Sequence, residues 1–315
     1  MKKFGFMPRA FILFVFLLSV FSLAQAQAAR SWVAPSPTGD DANPCSRTAP
    51  CQTFAGAISK THEGGEIDAL EPGAYGTVSI NKALTIDGGT GSGWASIHAS
   101  SNTDAITVNV TSGTHVDTAE VTLRNLSLNG IKQAGTGGDH GIQIIRAFNV
   151  HIQNVEIQNF SNEGINVAAA DSVALFVDNA RFTRDTTAIR MTTSSGFITF
   201  QFNRLNVMGS TNGVNAVANS RGTIRDSYFG GLTGTTNGGV KVSSGCTINI
   251  ENSMFSNDEL AVNVDTGGTA RISDNCFYNN SVALSGTGTI ATATNTNKFA
   301  GNSQDGSPND VVGFK

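Results

Sequence analysis

The stretch Val121–Leu128, VTLRNLSL, decides how this chain is read, because it is written six more times further on. The copies are VHIQNVEI (150–157), LFVDNARF (175–182), FQFNRLNV (200–207), TIRDSYF (223–229), INIENSMF (248–255) and RISDNCF (271–277). Anchoring each on its turn residue gives Asn125, Asn154, Asn179, Arg204, Asp226, Asn252 and Asp274, spaced 22 to 29 residues apart. A period in that range marks a solenoid, in which a repeat buries its apolar face only by stacking on its neighbours.

Side-chain alternation says what each copy does. Two residues before the anchor stand Leu123, Ile152, Val177, Phe202, Ile224, Ile250 and Ile272. Three residues after it stand Leu128, Ile157, Phe182, Val207, Phe229, Phe255 and Phe277. Between these apolar rows, one before the anchor, sit Arg124, Gln153, Asp178, Asn203, Arg225, Glu251 and Ser273, which must face water. Such alternation fits two short strands joined by a tight bend, and Asn or Asp tolerates the left-handed backbone that the bend needs. A third strand follows in each repeat: GIQI at 141, GINV at 164, AIRM at 188, GVNA at 213, GVKV at 239 and AVNV at 261. The expectation is an all-β, single-stranded parallel β-helix with three strands per coil. Its Phe row is read as core, and its Asn column as a hydrogen-bonded ladder at the bend.

A Gly-rich, Asn-rich chain with this pattern resembles the right-handed parallel β-helix proteins of the pectin-lyase-like superfamily, over roughly residues 64–300. The opening GGEIDALEPGAYGTVSINKALTIDGG is similar to the first coil of many secreted bacterial members. The resemblance implies a right-handed helix. That superfamily holds polysaccharide lyases, polygalacturonases, tailspikes and adhesins, so activity has to be argued from a site.

Residues 1–28 read as a secretory signal peptide, with Lys2, Lys3 and Arg9 before the apolar run Phe11–Phe21 and small residues at Ala24, Ala26 and Ala28. The run is too short for a membrane span and leaves none in the mature form, so the expected location is secreted or periplasmic. Removing it leaves 17 basic against 24 acidic residues, a net charge of −7. A mildly acidic chain with 14% charged residues and no basic cluster offers no footprint for nucleic acid.

Residues 29–63 read as an N-terminal cap, turn-rich and with no strand pattern longer than Trp32-Val33. Cys45 and Cys51 are expected to be bonded, as thiols six residues apart in an exported protein. Phe54, Ala57 and Ile58 after Thr53 predict a short helix that covers the open end of the solenoid. Cys246 and Cys276 fall on opposite faces and are expected to be free. The segment 64–300 is read as the β-helix and 301–315 as a loose tail, with Val311, Val312 and Phe314 folding back over the bore.

In a solenoid, reactive groups meet across coils rather than along the chain. Aligning the third strands places Asp104, His140 and Glu163 in one column, as candidate catalytic residues. A second outward column reads Thr107, Gln143, Asn166, Arg190, Asn215, Lys241 and Asn263. Its amides Gln143, Asn166, Asn215 and Asn263 suit hydroxyl-rich sugars as substrate-binding groups, and Arg190 and Lys241 suit uronates or base catalysis. Asn102-Thr103-Asp104 and Asp139-His140-Gly141 resemble two polygalacturonase motifs, although Asp139 replaces a Gly and that family's Asp-Asp pair is missing. Inverting hydrolysis would draw its two carboxyls from Asp104, Asp139 and Glu163. Uronate elimination would use Arg190 or Lys241, with calcium as a possible helper; the carboxylates are too scattered to form a calcium ligand set, and no other cofactor or metal motif stands out. A third reading makes the column merely solvated polar residues. The expected role is contact with extracellular or envelope polysaccharide, by a lyase or hydrolase; the competing class is a non-catalytic structural or adhesive surface protein.

Overall fold

All seven anchors bend the backbone in the left-handed region. Their φ angles are 58° at Asn125, 53° at Asn154, 55° at Asn179, 53° at Arg204, 52° at Asp226, 45° at Asn252 and 57° at Asp274. That conformation costs a residue with a Cβ about 1–2 kcal/mol, least for Asn and Asp, which explains their place in the repeat. The computed structural model describes residues 27–89, 94–113, 116–132, 136–292 and 296–311. The expected signal peptide, apart from its last two residues, and the expected fold-back of Val312 and Phe314 lie outside them.

Each bend joins two strand segments in an 18-stranded sheet, and the third strands form a separate 9-stranded sheet. Four coils run through the bend without a break, at Glu120–Asn129, Asn149–Gln158, Val173–Thr183 and Ile198–Met208. The pairings between successive coils are parallel and, apart from a shift after Val108, keep the sequence register: Ile152 lies opposite Leu123 and Val177, and Ile250 opposite Ile224 and Ile272. This is the parallel β-helix that the repeat predicts.

Both apolar rows fill the bore. From Leu123 to Ile272 and from Leu128 to Phe277 they are buried. Phe229, Phe255, Phe277 and Phe299 stack with ring centroids 4.8, 5.1 and 4.9 Å apart, the spacing of the coils themselves. Room for the rings comes from glycine in the neighbouring third strand. A Cβ at Gly164 would sit 2.7 Å from the Phe182 ring, and one at Gly239 would sit 2.9 Å from Phe255.

The Asn column is a ladder. Asn154 donates to Asn125 at 2.6 Å, Asn179 to Asn154 at 3.0 Å, and Asn125 to Asp87 at 2.8 Å. Arg204 breaks it and pairs instead with Asp178 of the preceding coil. Two further polar columns, not evident in the sequence, run inside the corners. In one, the Asp185 carboxylate accepts the Phe160 N–H at 2.8 Å, Asp258 accepts from Leu232 at 2.9 Å, and Asn280 accepts from Asp258 at 2.9 Å. In the other, Ser253 and Asn275 cap backbone N–H groups one coil below them. Burial pushes the Asp185 carboxyl up to about 8 and that of Asp258 up to about 7.

The N-terminal segment holds the expected short helix, α1, at Phe54–Ile58, with the Thr53 hydroxyl accepting from the Gly56 N–H. Phe54 packs on Tyr75 with centroids 4.9 Å apart, and Cys45 and Cys51 are joined. Cys246 and Cys276 are free. One expectation needs correction: the segment contains a six-residue strand, Ala28–Val33, which pairs in parallel with Thr61–Ala69. The solenoid wall thus reaches into the cap, and the strand's register comes from its partner rather than from its own alternation. At the other end Asp310 and Val311, within the expected loose tail, pair with Ala291 and Thr292 and add a short last rung to the wall.

Candidate functional site

The third-strand sheet exposes one face, and the outward residues of its strands align rung by rung. Ser79 lies opposite Thr107, Thr107 opposite Gln143, Gln143 opposite Asn166 and Asn166 opposite Arg190. The column continues through Asn215, Lys241 and Asn263 to Ser285. Asn166 donates to Gln143 at 2.8 Å, and its own oxygen is buried without a partner. Lys241 is bound to Asp265 at 2.9 Å and largely buried, which removes it as a free base. Arg190 has no acidic partner among the described residues and is only partly covered. Asn263 donates to the Thr236 carbonyl at 2.7 Å.

Beside the first rungs of this column the structure assembles a tight polar cluster. His140 Nδ1 lies 2.7 Å from Asp104 Oδ1, and its Nε2 lies 3.0 Å from Glu163 Oε2. Asp139 is 3.5 Å from Nδ1. Thus three residues that are 36 and 23 positions apart converge because their coils are stacked, with His140 on the middle one. Glycine sets how closely the coils meet here. Gly141 and Gly164 follow His140 and Glu163 directly, and a Cβ on Gly141 would stand 2.5 Å from the Gly164 carbonyl oxygen. The Thr107 hydroxyl donates to the far oxygen of Asp104 at 3.3 Å, and Asn162 donates to Asp139.

These partners fix the charge of the imidazole. Burial alone would lower its proton affinity, but hydrogen bonds to Asp104 and Glu163, helped by the charges of Asp139 and Asp104, outweigh that and raise the pKa to about 9. At neutral pH His140 is therefore an imidazolium that donates through both nitrogens. Asp104, Asp139 and His140 bring one ligand atom each within 4.8 Å of one another, and a metal bound there would have to displace the ring proton that His140 shares with Asp104. A second acidic group, Glu66, Asp68 and Asp87, is closed off by Arg30 and Arg124 at 2.6–2.9 Å. The guanidinium groups supply the charge balance that a cation would.

The sequence did not reveal a groove of about 690 Å³ where the column meets the cap. Ser79, Thr107 and Asp104 line one side of it, and Ala55, Ile58 and Ser59 of the α1 segment line another. No motif marks it, because it arises where two distant segments meet.

The family model described as right handed beta helix region matches residues 140–304. The chain belongs to that family. Solved structures similar to this β-helix protein include the alginate lyase from Paenibacillus sp. str. FPU-7, 14% identical, covering 90% of this chain and 99% of that one, with a TM-score of 0.58. The pectate lyase Pel9A is 15% identical over 88% of this chain and 80% of its own, with a TM-score of 0.53. The GH136 lacto-N-biosidase from Eubacterium ramulus is 9% identical over 91% of this chain and 67% of its own, with a TM-score of 0.51. At such identities the likeness speaks for the β-helix fold. No curated protein matches the sequence. No helix among the described residues is long and apolar enough to cross a membrane.

Proposed function

We propose that this β-helix protein is exported and contacts polysaccharide along its third-strand face, with Asp104, His140 and Glu163 as the acid–base centre and Asp139 beside them. The observation that carries this reading is the imidazolium held between two carboxylates, flush with a continuous column of hydrogen-bonding side chains. Stacked amides and hydroxyls, one per coil at about 4.8 Å, offer a continuous row of hydrogen-bonding groups to a hydroxyl-rich chain. The similar structures named for polysaccharide lyases and a glycosidase support the same substrate class.

The geometry also ranks the chemistries. An inverting hydrolase needs open space for a water between its two carboxyls. Here the ring of His140 fills the gap between Asp104 and Glu163, so those two do not form such a pair. The protonated imidazole serves instead as proton donor, its Nε2–H turning from Glu163 to a leaving oxygen, while Asp139, the most exposed of the three carboxylates, takes up the proton of the attacking water. Elimination by Lys241 is disfavoured by its bond to Asp265, which leaves Arg190 to pair with an anionic substituent.

Incubating the protein with neutral and uronic-acid polysaccharides, with and without calcium, and assaying reducing ends and unsaturated products tests the proposal. His140→Ala is expected to lower turnover by at least a hundredfold. Binding and turnover that are absent, or unchanged in both His140→Ala and Arg190→Ala, would leave the non-catalytic surface protein as the surviving class.

A further inference from the structure

The column on the third-strand face has two different ends. Toward the C-terminus it runs on through Asn263 and Ser285. Toward the N-terminus it stops at Ser79, on the first strand of its sheet, and the groove of about 690 Å³ begins there. The groove's far wall is the cap: Ala55 and Ile58 of α1 and Ser59 after it. Asp104 belongs both to this groove and to the His140 cluster, so the space beyond the cluster is closed by protein on the cap side.

The lining is polar but carries little positive charge. Ser79, Asn81, Thr107 and Ser112 offer hydroxyl and amide groups. Lys82 lines the groove too, buried, with its ammonium donating to the Thr61 carbonyl at 2.5 Å and facing the charge of Glu63. Among the described residues, and counting the adjoining cluster, four carboxylates (Glu63, Asp104, Asp139, Glu163) stand beside two cations (Lys82, His140). A uronate carboxylate would enter a region of net negative charge, where like charges repel. An uncharged sugar ring would not.

We propose that this groove is a terminal subsite that receives the uncharged end sugar of a glycan chain, the α1 cap acting as a stop, so that the protein engages its substrate from a chain end. This rests on the polysaccharide reading above and adds direction and end chemistry to it. In an endo-acting arrangement the chain would have to continue through the space that α1 and Ser59 fill.

The test uses the full exported chain and three neutral hexasaccharides, of β-linked glucose, xylose and galactose, plus hexagalacturonate and the parent polymers. Each neutral hexasaccharide is presented free, with a bulky fluorene tag on its reducing end, or with a benzylidene group on its non-reducing end. Binding is followed by calorimetry. The expected result is that one neutral hexasaccharide binds, that one of its two blocked forms binds at least tenfold more weakly, and that Ser79→Trp weakens the free form to the same extent without shifting the melting temperature. Equal binding of all three forms, or tight binding of polymers with none of any free hexasaccharide, overturns the terminal subsite while the polysaccharide reading stands. Binding of hexagalacturonate in preference to every neutral chain overturns the uncharged end sugar. Absence of binding to every hexasaccharide and every polymer overturns both readings.

Discussion

His140 and Asp104 lie 36 positions apart in the chain and share a hydrogen bond of 2.7 Å, because one coil of the helix separates them. With Glu163 on the next coil, the contact fixes a positive charge on an exposed face of an acidic protein. The consequences for pH behaviour are measurable.

The imidazole titrates at about 9 in the folded state, above its ordinary value of about 6.5. A raised histidine contributes stability that is complete below the unfolded value and is lost as pH rises through the folded one. The melting temperature is therefore expected to fall between pH 7 and 9, and His140→Asn should flatten part of that slope. A proton NMR titration of the ring with its midpoint below 7 would refute the assignment.

Asp185 and Asp258 push in the same direction. Their folded values of about 8 and 7 exceed the usual 3.9 of aspartate, so the folded state holds more protons between those limits and loses stability as pH rises across them. Each has one carboxylate oxygen buried without a partner. Asn280, in the same corner column, spends its amide on the Phe255 carbonyl at 3.1 Å. Asp258→Asn should make the equivalent bond to Phe229 and stabilise the protein by about 1–3 kcal/mol at pH 8. Denaturation midpoints of the two chains at pH 5 and 8 check this, the gain being larger at the higher pH.

Phe255 sits in the middle of the ring stack, with neighbours on both sides at 4.8 and 5.1 Å. Phe255→Ala removes a fully buried ring and leaves a cavity that the rigid coils cannot close, at a cost of about 3–5 kcal/mol. Urea unfolding measures it, and a loss below 1 kcal/mol would mean that the stack carries little of the stability.

Arg204 occupies a left-handed position that Asn fills in three earlier and adjoining coils. Arg204→Asn removes the ion pair with Asp178, which is exposed and worth about 0–1 kcal/mol, and extends the ladder from Asn179. The expected change in stability is between zero and a gain of about 1 kcal/mol, read from thermal melts at low and high salt.

The fold was legible because bend chemistry and pleat parity both leave marks on residue type. Asn125, Asn154 and Asn179 advertise the left-handed turn, and the apolar rows advertise the bore. The candidate cluster was legible for the same reason, since a correct period places Asp104, His140 and Glu163 in register. What the register does not contain is the direction in which a side chain leans. Arg225 lies opposite Glu251, a carboxylate of opposite charge, but reaches back to Asn203 at 2.8 Å. Lys241 likewise turns to Asp265, a residue outside the column. The strand Ala28–Val33 takes its conformation from a partner more than thirty residues on, and the groove at the cap is made by segments with no common pattern. Neither leaves a local signal.

The stack of flat coils has one more implication, for how such a molecule can change. Because each tier hands the next the same run of parallel backbone pairings, duplicating one whole tier of 22 residues, such as Asn252–Ser273, would lengthen the rod while neighbouring strands kept their backbone partners. Deleting a single residue from a strand would instead turn its oily side outward. Rod length and the chemistry near the cap are thus separately adjustable, and whole-tier insertions downstream of Lys241 are the edits this architecture absorbs most readily.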